Sequence, residues 1–236
     1  MRRGLWIVLW LLTPLAWALA PCTPESEVGS GCRLAIADLH PTQGGIGLLQ
    51  VEREQAALAE KSPKQLDKLM KKKEIPVVIS PDGRFWLVDR HHLTTALWRS
   101  GVREARVRVI ARLKDPANFW RQMRANHWVW LQDERGRPLE PDQLPARVQD
   151  LPDYPYRTLA GLLEDAGYID KDQQVYFIEF AWATWLGEQM GWAGVDSHNL
   201  KVRLHEAKQL ACSSRAAHLP GYPGQQCLLN PARSGH

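Results

Sequence analysis

Two periods of apolar residues alternate along the chain. RLAIADL (33–39) alternates well enough for a short strand, and in ARVRVIARL (105–113) every second residue is apolar. Both runs predict strands, the second with Val107, Val109 and Ala111 on one face. IPVVIS (75–80) is rich in β-branched residues, and RFWLVD (84–89) follows it across the turn sequence PDG (81–83). Together they predict a hairpin. From Leu48 to Glu60 the composition turns helical, with Leu49, Val51, Ala56 and Leu58 among charged neighbours. Ser62-Pro63 marks the start of another helix, serine at the cap and proline in the first turn, running to Lys71-Lys72-Lys73. Cations near a helix C-terminus favour its dipole, which accounts for that lysine triplet. One more helix is expected from His91 to about Ser100, ended by Gly101.

The later chain reads mainly helical. PANFWRQMRANHWVW (116–130), LAGLLEDAGY (159–168), QVYFIEFAWATWLGEQMGW (174–192) and DSHNLKVRLHEAKQLAC (196–212) are expected helices. The last opens on an Asp/Ser cap and sets Leu200, Leu204, Ala207 and Ala211 on one side. His198 and His205, seven apart, would share a helix face, too few ligands for a metal site. A proline-rich connection occupies 135–158. The order strand, helices, hairpin, helix, strand predicts an α+β unit. The expected organisation is a core over 21–115, a helical extension over 116–212 and an irregular tail over 213–236.

The first 20 residues, MRRGLWIVLWLLTPLAWALA, form a secretory signal peptide: Arg2 and Arg3, then an apolar stretch, then small residues. Cleavage after Ala18 is preferred to cleavage after Ala20, because Pro21 would hinder the peptidase. An exported protein, periplasmic or secreted, follows. No later run is long enough to span a bilayer. Losing Arg2 and Arg3 lowers the formal charge from +4 to +2, so overall charge does not point to nucleic acid. Cys22, Cys32, Cys212 and Cys227 then meet an oxidising compartment, where disulfides are the default. Of three possible connectivities, pairing within each end closes short loops and is preferred; pairing across the ends is the alternative.

The chemistry concentrates in FWLVDRHHLTTALWRSG (85–101), where an apolar strand stops at Asp89-Arg90-His91-His92 and becomes a helix. Asp89 could simply cap that helix. A helix N-terminus also presents unpaired N–H groups and positive partial charge, which favour phosphate. Arg90, His91 and His92 would add donors, and Thr94 and Thr95 hydroxyls. Adjacent helical residues diverge by about 100°, so one imidazole should face a cleft while the other supports it through Asp89. The reading requires at least one imidazole open to solvent. Gly44-Gly45-Ile46-Gly47 precedes a helix and is a second candidate anion cradle. Arg157 and Glu179 are a candidate ion pair. His127, among tryptophans, reads as packing. The eight tryptophans beyond the signal peptide suit packing, with Trp86 and Trp98 able to border a ligand.

DLHPTQGGIGLLQV, IPVVISPDGRFWLVDRHHLTTAL and YPYRTLA…YFIEFAWA together resemble the ParB-like nuclease family, within the wider ParB/sulfiredoxin fold, over roughly residues 33–190. The resemblance implies an α+β, ParB/sulfiredoxin-like mixed-sheet core with a mostly helical C-terminal extension. It also implies a nucleotide- or phosphate-binding cleft bordered by Pro41-Thr42-Gln43 and Asp89-Arg90-His91-His92. The fold carries several chemistries. Sulfiredoxins have a cysteine where His91 stands, which argues against thiol chemistry here. Serine kinases of the fold carry an Asp-Gly-His-His-Arg motif, but Gln43 replaces their glutamate base and Leu93 their phosphate-binding arginine. The arginine-rich motif and DNA-reading helices of partition proteins are not evident.

Two functions follow. The first is a nuclease or phosphoryl-transfer enzyme. His91 or His92 would serve as acid/base, with Asp89 orienting it or holding a metal. Arg90, Thr94, Gln43, Gly44, Gly45 and Gly47 would lie around the phosphate, and Gln43 could position water. Mg or Mn is compatible with this chemistry, though no ligand spacing demands either. The second is a non-catalytic module that binds a nucleotide, another phosphate ligand or a protein partner.

Overall fold

In the computed structural model, which describes residues 19–170, 175–224 and 227, the alternating runs pair into one mixed sheet. Its strands are β1 (Gly31–Ala35), β2 (Leu39–Pro41), β3 (Ile75–Ile79), β4 (Phe85–Leu87) and β5 (Glu104–Arg112), in the order β1-β5-β3-β4-β2. β3 and β4 are the antiparallel hairpin, and β5 joins β3 in parallel. β1 and β2 form the two edges. The run at 33–39 is therefore not one strand. A 3-10 turn at Ile36–Asp38 breaks it, with Ile36 completely buried, and sends its halves to opposite sheet edges.

The helices are α1 (Leu48–Ala59), α2 (Pro63–Lys72), α3 (His91–Arg99), α4 (Phe119–Ala125), α5 (Pro155–Asp165), α6 (Ile178–Gln189) and α7 (Leu200–Ala211). α2 starts on a capping box: Gln65 N–H donates to Ser62 Oγ and Ser62 N–H to Gln65 Oε1. The strand period of two places Ile75, Val77 and Ile79 against α1 and α3, and Val78 against α4 on the other face. A third cluster, around Leu159, Leu163, Trp182 and Leu186, joins α5, α6 and α7. Val148 and Leu151 pack with the first cluster, so packing crosses the expected boundary at residue 115.

Four expected helices change. α6 spans Ile178–Gln189 rather than 174–192, beginning after Phe177 at a left-handed φ of 57°. α4 stops at Ala125, because His127 takes a left-handed φ of 56° and Trp130 N–H then donates to the Thr42 carbonyl at 2.8 Å. α5 starts at Pro155 rather than Leu159, using the proline in its first turn. α7 starts at Leu200, which leaves His198 outside it, so His198 and His205 share no helix face. Asp196 instead accepts the N–H groups of His198 and Asn199.

The disulfides are Cys22–Cys32 and Cys212–Cys227, the local pairing. The first fastens the segment before β1. The second ties the end of α7 to the tail, which also packs on the helices as the Trp182 indole donates to the Pro220 carbonyl at 2.7 Å. The expected signal peptide lies outside the described residues up to residue 18. Among the described residues no helix is long and apolar enough to cross a membrane.

The segment from Thr42 to Gly47 runs buried beneath the start of α5. A Cβ on Gly44 would stand 2.6 Å from the Tyr154 hydroxyl, one on Gly45 would enter the Tyr154 ring, and one on Gly47 would stand 2.8 Å from the Thr158 backbone nitrogen. These glycines let two backbones approach. Gly45→Ala is expected to destabilise the fold by about 1–3 kcal/mol through overpacking. Urea unfolding would measure it, and a double-mutant cycle with Tyr154→Ala should show positive coupling between the two sites.

Candidate active site

The strand-to-helix turn is built by one backbone distortion and one buried imidazole. Arg90 adopts φ 65°, ψ 31°, and no side chain caps α3. That conformation is unusual for a residue with a Cβ. It reverses the chain between β4 and α3 within a few residues. Asp89 is exposed and its Oδ1 accepts the Arg90 N–H at 2.7 Å. It therefore steadies the strained peptide. It neither caps the second or third amide of α3 nor holds an imidazole, which corrects the expected role of Asp89 as the orienting carboxylate.

His91 points inward and is 5% exposed. Its Nε2 accepts the Thr42 N–H at 3.2 Å, and the Leu87 carbonyl lies on its other side as an acceptor. That network assigns the proton to Nδ1. Burial, His92 and Arg157 depress its pKa to about 3, so the ring is neutral. Thr42 Oγ1 donates to the same Leu87 carbonyl at 2.7 Å. His91 thus fastens the exit of β2 to the exit of β4. With both nitrogens engaged it acts as a positioning residue, although it also lines the cleft described next.

His92, half-buried, lines with His91 a cleft of about 200 Å³. Its Nε2 is buried and has no hydrogen-bond partner. Burial first and Arg157 second lower its pKa to about 4, opposed by Glu179. Of the two imidazoles His92 is the less buried, though its Nε2 is itself sealed from water.

Around it stand Arg90, Arg157 and Lys73, with Glu54, Glu179, Asp89 and Gln43. Arg157, on α5, is almost wholly buried. Its Nη1 lies 2.5 Å from Glu179 Oε2 and its guanidinium 4.0 Å over the Phe180 ring. The Nε atoms of Arg157 and Arg90 are buried without a hydrogen-bond partner. Glu54, on α1, has its pKa raised by burial against the opposing pull of Lys73.

Several expected ligands stand elsewhere. Gly44, Gly45 and Gly47 are packed under Tyr154 and Thr158 and do not line the cleft, because α5 occupies the space an anion would need. Thr94 and Thr95 direct their hydroxyls to the carbonyls of Arg90 and His91, four residues back. Gln43 reaches the cleft, but its amide donates to the Gly45 carbonyl at 2.8 Å. Trp86 borders a different cavity, and Trp98 packs under Arg103. His127 is exposed and stacks on Tyr176 at 4.0 Å. Glu54 and Lys73 carried no sequence signal beyond charge on a helix; only the packing of α1 and the end of α2 brings them here. Among the described residues no group of three His, Cys, Asp or Glu is arranged to hold a metal ion.

A family model described as "Putative ParB-like nuclease" matches residues 32–188. The crystal structure of protein Atu1540 from Agrobacterium tumefaciens is similar, with a TM-score of 0.73 and 32% sequence identity over 83% of this chain and 97% of that one. No curated protein matches the sequence.

Both histidines titrate far lower in the fold than the 6.5 of a free imidazole. Below that value the unfolded chain takes up protons that the folded chain refuses. Their contribution to stability is complete above pH 6.5 and is lost as the pH falls toward 4, by about 1.4 kcal/mol per pH unit for each ring held neutral. Urea unfolding between pH 7 and 4.5 should show this decline. His91→Asn should remove about one histidine's share of the slope; an unchanged slope would mean that His91 titrates freely in the folded protein.

Proposed function

The chain belongs to the ParB-like nuclease family and carries a ParB/sulfiredoxin-like fold, and from that premise we propose that it cleaves or transfers a phosphate ester at His92. The observation that carries the proposal is a set of buried nitrogens without hydrogen-bond partners, His92 Nε2, Arg90 Nε and Arg157 Nε, on residues lining one cleft. Buried donors left unsatisfied are costly. An anion that accepts from the two arginine Nε–H groups removes their share of that cost, while His92 Nε2, the base in this reading, keeps its lone pair for a proton; the uncapped start of α3 adds a favourable field. The volume suits one phosphate group, with its organic substituents outside.

In this reading Arg90, Arg157 and Lys73 neutralise the phosphate oxygens. Neutral His92 takes the proton of an attacking water or alcohol while its oxygen bonds to phosphorus. The ester P–O bond breaks, and the leaving oxygen takes a proton from Glu54, whose pKa burial raises. A phosphodiester of nucleic acid is one substrate of this chemistry. The two local disulfides support a further proposal, that the protein works after export.

A non-catalytic phosphate-binding module is the second reading. The commitment of the Gln43 amide to Gly45 favours it, since that side chain is not left free to position water.

The purified protein is to be incubated with single- and double-stranded DNA and RNA and with a simple phosphodiester, with Mg²⁺, with Mn²⁺ and with chelator. Turnover is expected. His92→Ala should lower it at least about a hundredfold, the usual scale for an acid–base group, with an unchanged melting temperature. Loss of activity in step with loss of melting temperature would assign His92 to structure. Absence of turnover together with saturable binding of inorganic phosphate would favour the module.

A further inference from the structure

A second cavity, of about 580 Å³, opens at the turn end of the β3–β4 hairpin and shares no lining residue with the cleft. Its apolar wall is Trp86, Phe119 and Trp120. Trp120 stands nearly perpendicular to both neighbours, at 79° and 4.8 Å from Trp86 and at 72° and 4.9 Å from Phe119. Rings set at right angles expose faces in different directions. The faces carry the negative part of the aromatic quadrupole and attract a cation placed between them. The guanidinium of Arg84 already stands 5.7 Å over the Trp86 ring.

The polar rim has the same sign of preference. It carries Asp82, Glu140 and Asp142 against one cation, Arg84. Arg84 is taken by Asp82, whose Oδ2 accepts from Arg84 Nε at 2.6 Å. Glu140 caps its own turn through the Gln143 backbone, and neither it nor the exposed Asp142 has a cationic partner among the described residues. Two carboxylates are left uncompensated beside three aromatic rings. Finally, Trp86 is only 7% exposed, and its indole Nε1 is buried without an acceptor.

We propose that this cavity binds a small organic cation, an alkylated ammonium. The ammonium sits against Trp86 and Trp120 under the field of Glu140 and Asp142. The site has the opposite charge preference to the His92 cleft, so the two take different ligands. A free choline-type molecule and a lysine side chain in a peptide offer the same ammonium chemistry, and the test separates these sources.

Isothermal titration of the purified protein is to use choline, its neutral carbon isostere 3,3-dimethyl-1-butanol, and a short lysine peptide with blocked ends. Saturable binding of choline is expected, about tenfold or more tighter than the isostere, the scale of a partly desolvated cation–π contact. Asp142→Asn, an exposed change that should leave the melting temperature alone, is expected to weaken choline severalfold. Trp120→Ala should abolish binding. Tighter binding of the peptide than of choline would assign the cation to a protein partner. Equal affinity for choline and its isostere, saturation by neither cation, or no effect of Asp142→Asn would overturn the proposal.

Discussion

The geometry of the cleft depends on one neutral, buried imidazole. His91 sits between the N–H of Thr42 and the carbonyl of Leu87, and so joins the ends of β2 and β4, two strands far apart in sequence that pair in parallel. A net contribution of about 1 kcal/mol per hydrogen bond is modest. The penalty for losing the ring is larger, because the Thr42 amide would be left buried without a partner. Once His91 is fixed inward, the helical step of about 100° turns His92 outward. The left-handed Arg90 makes the same demand from the other side, since only a sharp reversal lets α3 begin directly at His91.

The cleft itself is an arrangement of charges that have lost water. Arg157 is held in place by Glu179 and by the face of Phe180. A buried cation with one carboxylate partner still has donors to spare, and Arg157 leaves its Nε without a partner. The consequence reaches His92, whose protonation is opposed by burial and by Arg157 together. A dianionic ligand would reverse that balance, because its charge favours the protonated ring. Binding and proton transfer would therefore be coupled through the same group.

The sheet separates the His92 cleft from the cavity walled by Trp86, Phe119 and Trp120. The strand period of two puts Trp86 on the face that α4 covers, so that the aromatic chain Trp86, Phe119, Trp120 forms on the side away from α1 and α3. The hairpin that delivers the His91-His92 pair at one end delivers Asp82 and Arg84 at the other. Few residues intervene, yet the two sites meet different helices and hence different fields.

Local patterning was enough to define the hairpin over 75–89, β5 and the capped start of α2, because each rests on neighbours in sequence: a turn, an alternation, a cap. It favoured the local disulfides through their short loops but left pairing across the ends open. It was also enough to place an Asp-Arg-His-His cluster at a strand-to-helix junction. It could not separate His91 from His92, since a buried and a cleft-facing imidazole look alike until Thr42 and Leu87 arrive on one side. It misread the glycines at 44, 45 and 47, whose absent Cβ atoms make room for Tyr154 and Thr158, more than a hundred residues away. It extended α4 through His127, because helical spacing cannot register that Trp130 is drawn to the Thr42 carbonyl. Glu54 and Lys73 became cleft residues only through packing of α1 and α2. The sequence alone decided the hairpin, the cap of α2 and the strand-to-helix turn at residue 89; tertiary structure decided the break at Ile36–Asp38, the end of α4 and which groups lost water together, because desolvation and charge act through space over a few ångströms and ignore distance along the chain.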